Sequence, residues 1–401
     1  MRILSTLMAG LVSVAFSVPT AMAQDGPFID WLNDFRPRLV QSGASPQTVR
    51  AMLDGLEPEM RIIDRDRDQP EFVRPLWEYL DIAASDLRTA NGLETFADNR
   101  ETLEAIEARF GVDAEILVAI WGLESSYGQI MGDNDVVQAL ATLAWEGRRR
   151  SWAEAQLIAV GRMLDRGYAD RSQLTGSWAG AMGQTQFIPE TYLARAVDFD
   201  GDGRRDIWTN NGDAVGSSAN LLAEAGWSLD APIVIEVRMP EGYDLSNWAP
   251  RESRLVAEWS TRGIVRADGI AWATNDLMRG AKLVLPAGLR GPAFLTFGNF
   301  EAIKRYNNST SYAIGVWLLS RRVDGGGEIL QAWPTDDPPI TRSQTRELQE
   351  ALLAMGYDPG GVDGIFGPNS RRALMAFQRA RGLTADGYAG RLTYDAVMSA
   401  Q

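Results

Sequence analysis

Residues 116–128 read Ile-Leu-Val-Ala-Ile-Trp-Gly-Leu-Glu-Ser-Ser-Tyr-Gly, an apolar run with one carboxylate near its end. The spacing predicts a helix in which Leu117, Trp121 and Glu124 share one face, broken at Gly128. A carboxyl group on an apolar face loses hydration, which disfavours its charged form and raises its pKa. Glu124 is therefore a candidate general acid, because an ordinary Glu, with a pKa of about 4.3, is ionised near neutral pH. The alternative is a helix-end Glu that pairs with an Arg or faces water.

The composition narrows the chemistry around this carboxylate. The 401 residues include no His and no Cys, which excludes thiol nucleophiles, His bases, disulfides and zinc sites built from these residues. Carboxylates are then the main proton-transfer groups. The length indicates two or three domains, and the 45% hydrophobic content is enough to form a core. The formal net charge of −14 argues against nucleic acid as a partner.

The amino-terminal segment has the pattern of a secretory signal peptide. Met1-Arg2 is a basic start, Ile3 to Val18 is mostly apolar, and Ala21-Met22-Ala23 is a small-x-small cleavage site. The alternative is a membrane anchor, although the apolar stretch is short and interrupted by serines and a proline. We expect cleavage after residue 23 and a soluble, exported protein. A lipoprotein is excluded because there is no Cys to carry the lipid, and no later stretch predicts a membrane span.

The pattern of the remaining chain predicts a mainly α (α+β) fold. Residues from about 27 to 230 read as helices, whereas 233–238 and 281–285 read as strands of an inserted or attached piece. Helical periodicity returns at 300–320. The predicted divisions are a signal peptide over 1–23, a catalytic domain over 24–325, a Gly/Pro-rich linker over 326–339 and a binding module over 340–401.

The module at 340–401 contains a half-repeat. Asp363-Gly364-Ile365-Phe366-Gly367 is echoed by Asp386-Gly387-Tyr388-Ala389-Gly390, and a helix is predicted after each turn. The repeat predicts a small helical bundle with two similar turns. Because the module carries no catalytic constellation, we expect it to bind a ligand.

Three other polar stretches accompany Glu124. Gly176 to Pro189 is rich in small residues and would expose backbone groups to a ligand, with Gln186 as donor and acceptor, or it is a tightly packed helix junction. Arg305 to Tyr312 is a polar, aromatic-flanked cluster that suits a sugar, or a capped helix N-terminus. Arg148-Arg149-Arg150 is a solvated basic face, or a contact for peptide carboxylates.

Residues 198–206 match the opening of an EF-hand loop. Carboxylates stand at positions 1, 3 and 5 of the loop, and Gly203 stands at position 6. The usual Glu at position 12 is missing, so a later Asp would have to close a lengthened loop. We expect a structural Ca²⁺ here, with an empty loop of Asx turns as the alternative. The candidate ligands are Asp198, Asp200, Asp202, the Arg204 carbonyl and Asp213.

Several of these stretches together carry a family resemblance. Gly122-Leu123-Glu124-Ser125, Gly180 to Pro189, the Asp198 loop and Arg305-Tyr306-Asn307 resemble the membrane-bound lytic murein transglycosylase B family (glycoside hydrolase family 103) over roughly residues 27–325. Residues 340–401 resemble the peptidoglycan-binding domain 1 family. The resemblance implies a lysozyme-like helical catalytic domain, a calcium loop in an appended β-containing region and a three-helix module that binds peptidoglycan.

The resemblance also implies roles for single residues. Glu124 would be the catalytic acid and base, and catalysis would need no cofactor. The substrate would be a peptidoglycan glycan strand in the periplasm, whereas partners among cell-wall synthesis or division proteins stay open. The implied substrate-binding residues are Ser177, Gln186, Phe187, Tyr306 and Tyr312 for the sugar, and Arg148 and Arg149 for the peptide. Tyr127, next to the carboxylate in sequence, adds an aromatic surface of the kind on which sugars stack.

The implied reaction needs only one carboxylate. Ordinary glycosidases use two, and no second carboxylate in this sequence stands out in a comparable setting. By resemblance, Glu124 protonates the oxygen of the MurNAc–GlcNAc β-1,4 bond, the N-acetyl group assists, and Glu124 then deprotonates the C6 hydroxyl to form a 1,6-anhydro-MurNAc end. The alternatives are a goose-type muramidase, which cleaves the same bond with water, and a non-catalytic cell-wall-binding protein.

Overall fold

The computed structural model describes residues 26–67, 74–229, 231–245, 248 and 251–401. The signal peptide predicted over 1–23 lies outside these residues. Within them, no helix is both long enough and apolar enough to cross a membrane. The chain divides into two compact units, which we describe separately. The first comprises the described part of Met1–Gln69, Asp86–Leu229 and Ala302–Gly325, and the second comprises the described parts of Pro70–Ser85 and Asp230–Glu301, with Gly326–Gln401.

The first unit is helical, as predicted. Its helices are α1 (Phe28–Gln41), α2 (Pro46–Leu53), α3 (Met60–Arg67), α5 (Asp86–Asp98), α6 (Arg100–Phe110), α7 (Ala114–Ser125), α8 (Val136–Glu146), α9 (Arg150–Asp165), α10 (Pro189–Arg195), α11 (Asn211–Glu224) and α15 (Thr310–Val323). Two short strands, β1 (Asn134–Asp135) and β2 (Thr175–Gly176), pair antiparallel. Helix α14 (Gly298–Tyr306) contains the point at which the chain passes from the second unit to the first.

The core of the first unit surrounds α7. Residues 116–120 are all buried, because the helix is apolar around its whole circumference and lies against α5, α6, α11 and α15. Asp113 precedes the helix at its N-cap position, but its side chain makes no capping hydrogen bond. Its Oδ2 accepts from Trp227 Nε1 at 2.9 Å instead, and Glu107 Oε2 accepts from the backbone N–H of Ala114 at 2.8 Å. The helix ends one residue after Glu124, which places the carboxylate in its last turn.

The second unit contains a five-stranded antiparallel sheet in the order β4-β6-β8-β3-β5. Its elements are α4 (Leu76–Ala83), β3 (Val234–Arg238), β4 (Ser253–Leu255), α12 (Val256–Thr261), β5 (Val265–Arg266), α13 (Thr274–Leu277), β6 (Gly280–Val284), β7 (Pro286–Leu289) and β8 (Ala293–Thr296). The strands predicted at 233–238 and 281–285 correspond to β3 and β6. One expectation is wrong: the Asp198 loop lies between α10 and α11 of the helical unit, not in this β-containing region.

The carboxy-terminal module is built from α16 (Arg342–Ala354), α17 (Pro368–Ala380) and α18 (Arg391–Met398). Each turn of the half-repeat is held by a buried glutamine on the helix before it. Gln349 Oε1 accepts from the backbone N–H of Gly364 at 2.8 Å, and Gln378 Oε1 accepts from that of Gly387 at 2.8 Å. The repeat therefore consists of a helix, its glutamine and a glycine turn.

The module and the preceding segment lie directly against the sheet. Met375 of α17 belongs to the apolar cluster under the strands. The backbone N–H groups of Leu330 and Gln331 both donate to the carboxylate of Glu236 on β3 at 2.8 Å. Residues 326–339, predicted to form a linker, are thus hydrogen-bonded to the sheet.

Candidate active site

The Glu124 carboxyl group is half-buried at the end of α7, and among the described residues it has one hydrogen-bond donor. The Tyr312 hydroxyl donates to Glu124 Oε1 at 2.6 Å, from the first turn of α15. Burial raises the pKa of Glu124 to about 7, and the hydrogen bond from Tyr312 opposes part of that rise. No ionised carboxylate among the described residues contributes to the shift. At neutral pH the group is therefore close to half protonated, which suits a residue that gives and then takes a proton.

The backbone around Glu124 is strained. Among the described residues, three that are not glycine have positive φ: Ser126 at 49°, Tyr127 at 61° and Gln186 at 51°. Two of them directly follow α7, and the third lies in the glycine-rich stretch. Residues other than glycine rarely adopt this conformation, and they concentrate at functional sites where the surroundings hold them in place.

Two long-range contacts join α7 and the loop after it to the glycine-rich stretch. Gln186 Nε2 donates to the Met131 carbonyl at 2.9 Å, and Trp121 Nε1 donates to Gln184 Oε1 at 2.8 Å. Gln186 Oε1 accepts no hydrogen bond from the described residues, so it stays available to a ligand. Gln186 therefore has a side-chain oxygen that is suited to its predicted contact with a sugar.

Tyr306 connects a third segment to the same region. Its hydroxyl donates to the Thr185 carbonyl at 2.6 Å and lies 3.1 Å from Ser218 Oγ. Burial, followed by the charge of Glu124, raises the pKa of Tyr306 well above its usual value. The phenol thus stays neutral and lies within the electrostatic influence of Glu124. Tyr306 and Tyr312 both lie in this region, and their role in binding a sugar stays a prediction.

Other predicted substrate contacts form the walls of the site. Phe187 is 2% exposed and packs against Tyr306, with 5.7 Å between ring centroids. Tyr127 is 9% exposed, and its hydroxyl donates to the Arg88 carbonyl at 2.7 Å. These two rings support the loops and do not offer a free face to a sugar, which corrects that expectation. Ser177 is also buried, and its Oγ accepts from the Ala181 backbone N–H at 3.0 Å.

The two predicted peptide-side arginines contact one buried carboxylate. Arg148 Nε donates to Asp66 Oδ2 at 3.0 Å, and Arg149 Nη1 lies 3.4 Å from Asp66 Oδ1. The Arg149 guanidinium also stands 4.5 Å from the centre of the Trp152 ring. Their charge is thus partly compensated within the protein, and a peptide carboxylate would have to share it.

The Asp198 loop brings three of its predicted ligands together. Carboxylate oxygens of Asp198, Asp200 and Asp202 lie within 4.8 Å of one another. This set of hard oxygen atoms fits Ca²⁺. Asp213 lies outside the cluster: it is fully buried, and its oxygens accept from the backbone N–H groups of Phe199 and Asp206, both at 2.7 Å. Asp213 therefore braces both ends of the loop, which differs from the predicted role as a ligand. The Arg204 carbonyl stays a prediction.

Two residues at the site were not predicted. Thr185 Oγ1 and Asn307 Oδ1 are buried and have no hydrogen-bond partner among the described residues. Each is adjacent to a site contact, because Thr185 also offers its carbonyl to Tyr306 and Asn307 follows Tyr306 in the chain. Both lie within stretches singled out from the sequence, but residue type alone does not distinguish a free polar atom from a paired one.

The tyrosine contact to Glu124 gives a pH-dependent prediction. Glu124 must be protonated to act as an acid, so the rate falls as the pH rises through its pKa. Tyr312→Phe removes a hydrogen bond that lowers this pKa, so the falling limb of the kcat/KM profile should move to higher pH. We expect a shift on the order of one unit, because a hydrogen bond to a charged group contributes about 1.5 kcal/mol and one unit corresponds to about 1.4 kcal/mol.

The control for this experiment is Tyr306→Phe. The Tyr306 hydroxyl donates to the Thr185 carbonyl and not to Glu124. Its loss should therefore leave the pH of the falling limb unchanged, even if the rate falls. If the falling limb of the Tyr312→Phe profile lies at the same pH as that of the wild type, this tyrosine has a structural role only.

Comparisons with known proteins agree with this geometry. Residues 27–321 match the family described as transglycosylase SLT domain, and residues 341–397 match a peptidoglycan binding domain. Membrane-bound lytic murein transglycosylase B of Escherichia coli (strain K12) is 30% identical over 239 residues, which span 58% of this chain and 63% of that protein.

Solved structures are similar over more of the chain. SltB3 from Pseudomonas aeruginosa, in complex with NAG-anhNAM-pentapeptide, is 46% identical with a TM-score of 0.89, covering 92% of this chain and 99% of that one. The Escherichia coli lytic transglycosylase Slt35, in complex with calcium, is 26% identical with a TM-score of 0.64, covering 76% of this chain and 96% of that one.

Proposed function

The chain belongs to the transglycosylase SLT domain family, and we propose that it is a peptidoglycan lytic transglycosylase. It cleaves the MurNAc–GlcNAc β-1,4 bond and leaves a 1,6-anhydro-MurNAc end. The observation that supports this most directly is Glu124, a single carboxyl group with a pKa of about 7 at the end of a buried helix. The similarity to a structure with a bound anhydro sugar and peptide supports the same activity.

Glu124 performs both proton transfers in this proposal. Protonated, it donates to the glycosidic oxygen, so that the bond to C1 breaks as the leaving hydroxyl forms. The resulting carboxylate then takes the proton of the C6 hydroxyl, whose oxygen attacks C1. The Tyr312 hydroxyl stabilises the carboxylate between these steps, because it donates to the ionised form. The substrate supplies the nucleophile, so no second carboxylate is needed.

Three segments hold the glycan strand in this proposal. Gln186, Ser177 and Tyr306 keep the sugar-contacting roles expected of them, with Thr185 and Asn307 as additional polar contacts. Arg148 and Arg149 keep the role of contacting the peptide of the substrate. Residues 340–401 bind insoluble peptidoglycan, which agrees with their match to a binding domain. We place the protein in the periplasm, after removal of residues 1–23.

Mass spectrometry of the released fragments tests the reaction. The full chain is incubated with purified peptidoglycan, and the sugar ends are identified by mass. We expect anhydro ends, which are one water lighter than reducing ends. Reducing ends would support the goose-type muramidase, which uses water at the same bond, and no soluble product at all would support a binding protein without activity.

We also propose that Asp198, Asp200 and Asp202 hold a structural Ca²⁺. The ion would neutralise three carboxylates that otherwise repel one another. The loop is connected to the catalytic region, because the Gln184 backbone N–H donates to the Ile207 carbonyl at 2.9 Å and Gln184 also contacts Trp121. The role is therefore to hold one wall of the site, not to take part in proton transfer.

Calcium should raise the thermal midpoint of the full chain. A ligand at 100 times its Kd stabilises the folded state by about 2.7 kcal/mol, so differential scanning calorimetry in excess Ca²⁺ and in EDTA should differ by several degrees. Asp200→Asn should abolish the response. Asp206→Asn is the matched control, because that carboxylate accepts from the Trp208 and Thr209 backbone N–H groups and should keep the response. Equal midpoints with and without Ca²⁺ would rule out the site.

A further inference from the structure

A polar cavity of about 190 Å³ lies at the end of the loop that follows α7. Its wall combines two arginines with three carboxylates around the buried side chain of Ile62. The charged lining residues are Glu59, Arg61, Arg65, Asp133 and Asp135. This mixture differs from the neutral, amide-rich surroundings of Glu124, so the cavity suits a different part of a ligand.

Among the described residues, salt bridges involve three of the five charged lining residues, whereas Arg65 attracts Glu59 and Asp133 attracts Arg61 only at longer range. Arg61 Nη2 lies 2.9 Å from Glu59 Oε2, and Asp135 Oδ2 lies 2.7 Å from Arg171 Nη2. Within the part of the chain that the structure describes, neither Arg65 nor Asp133 forms a salt bridge, and both are exposed to solvent. A ligand that carries both charges would match this pair, whereas an anion or a cation alone would leave one of them unmatched.

The cavity is connected to the Glu124 region through the loop that follows α7. Asp133 and Asn134 end the loop that begins at Ser126, directly after α7. Asn134 pairs with Gly176, and its Nδ2 donates to the Gly176 carbonyl at 3.1 Å. The next residue is Ser177, in the wall of the site. The cavity is thus lined by the end of the loop that follows α7, together with residues of α3 and α8, and its Asn134 connects it to the glycine-rich stretch.

The size of the cavity selects a small group. Its volume of about 190 Å³ is below the ~300–1,000 Å³ of sites that enclose a whole drug-sized ligand. One amino-acid end fits, but a pair of sugars does not. Peptidoglycan carries such ends on the peptide that projects from its muramic unit, next to the bond that is cleaved.

We propose that this cavity is a subsite for the stem peptide, and that it binds one zwitterionic amino-acid end. Arg65 receives the carboxylate and Asp133 receives the ammonium group. The inference rests on the proposed function, because the peptide reaches the cavity from a sugar bound near Glu124. It also distinguishes two sets of arginines: Arg148 and Arg149 form salt bridges with Asp66, whereas Arg65 forms none among the described residues and attracts Glu59 only at longer range.

Isothermal titration calorimetry with a free stem peptide tests the subsite. The full chain carries Glu124→Gln to prevent turnover, and the probe is a tetrapeptide with a zwitterionic side-chain end. Adding Arg65→Gln or Asp133→Asn should each weaken binding about tenfold, the effect of losing roughly 1.4 kcal/mol. Arg50→Gln, an exposed arginine of α2 outside the cavity, should leave the affinity unchanged. Amidating the carboxylate at the zwitterionic end of the probe should weaken its binding to the Glu124→Gln chain about tenfold. The same amidation should not weaken its binding to the chain that also carries Arg65→Gln.

The outcomes separate this inference from the proposed function. Equal affinity of the parent, Arg65→Gln and Asp133→Asn would overturn the subsite, even if the wild-type chain releases anhydro products. Loss of affinity with both variants, combined with reducing-end products from the wild-type chain, would keep the subsite and overturn the transglycosylase mechanism. A tenfold fall with Arg50→Gln as well would mean that general charge, and not this cavity, attracts the peptide.

Discussion

Glu124→Gln should reduce the release of soluble peptidoglycan fragments by at least ~1,000-fold. General acid–base catalysis contributes about 10²–10⁴ for each proton transfer, and here one group performs both. Gln is nearly the same size, and its side-chain oxygen can still accept from Tyr312, so the geometry around α15 is kept. The measurement is the rate of fragment release from purified peptidoglycan, followed by chromatography. Activity within tenfold of the wild type would remove Glu124 from the mechanism.

The same variant should be more stable than the wild type at pH 8. Burial raises the pKa of Glu124 from 4.5 to about 7 in the folded state, so the unfolded chain loses its proton at lower pH. As the pH rises from about 4.5 to about 7, the free energy of unfolding therefore falls progressively. The full loss of stability is present above about pH 7. We expect Glu124→Gln to gain on the order of 2 kcal/mol at pH 8 and almost nothing at pH 4. A midpoint that falls at both pH values would indicate a damaged fold, and any loss of activity would then be uninformative.

The partly buried carboxylate with a raised pKa was predictable because its signal is local. Leu117, Trp121 and Glu124 lie on one helix, and the apolar run around them buries that helix from every side. The tyrosine that hydrogen-bonds to Glu124 was assigned to the site, but its specific partner was not predictable. Glu124 and Tyr312 are separated by 188 residues, and only the packing of α15 on α7 brings them together.

Other errors arose where burial decides the role of a residue. Phe187 and Tyr127 have the side chains that sugars stack on, yet the core takes up both rings. Asp213 has the right charge for a calcium ligand, but its oxygens are directed at two backbone N–H groups that the loop itself presents. Similarly, a Pro- and Gly-rich composition indicates a linker, but it does not reveal that Glu236 holds that segment on the sheet. Each outcome depends on three-dimensional contacts that spacing along the chain does not encode.

Gly122→Ala should destabilise the protein although it places a better helix former inside α7. Alanine is favoured over glycine in a helix by about 1 kcal/mol, but a Cβ at Gly122 would lie 2.6 Å from both Cζ and Oη of Tyr127. That ring is held in place, because its hydroxyl donates a hydrogen bond to the Arg88 carbonyl and lies close to the backbone at Gly92. Overpacking costs about 1–3 kcal/mol. We expect a lower thermal midpoint and a lower rate, since Glu124 lies two residues further along the helix.

A double-mutant cycle shows whether the Tyr127 ring causes this loss. Tyr127→Leu removes the atoms that a Cβ at Gly122 would contact, at the expense of a cavity. In that background Gly122→Ala should cost almost nothing, so the two effects are strongly non-additive. Gly298→Ala, at a helix position with nothing within 4 Å of the added carbon, should leave the midpoint unchanged in the wild-type chain. If Gly122→Ala lowers the stability as much with Tyr127→Leu as without it, the need for glycine comes from helix α7 and not from the Tyr127 ring. Tyr127 is then not what holds the end of α7 beside the catalytic carboxylate.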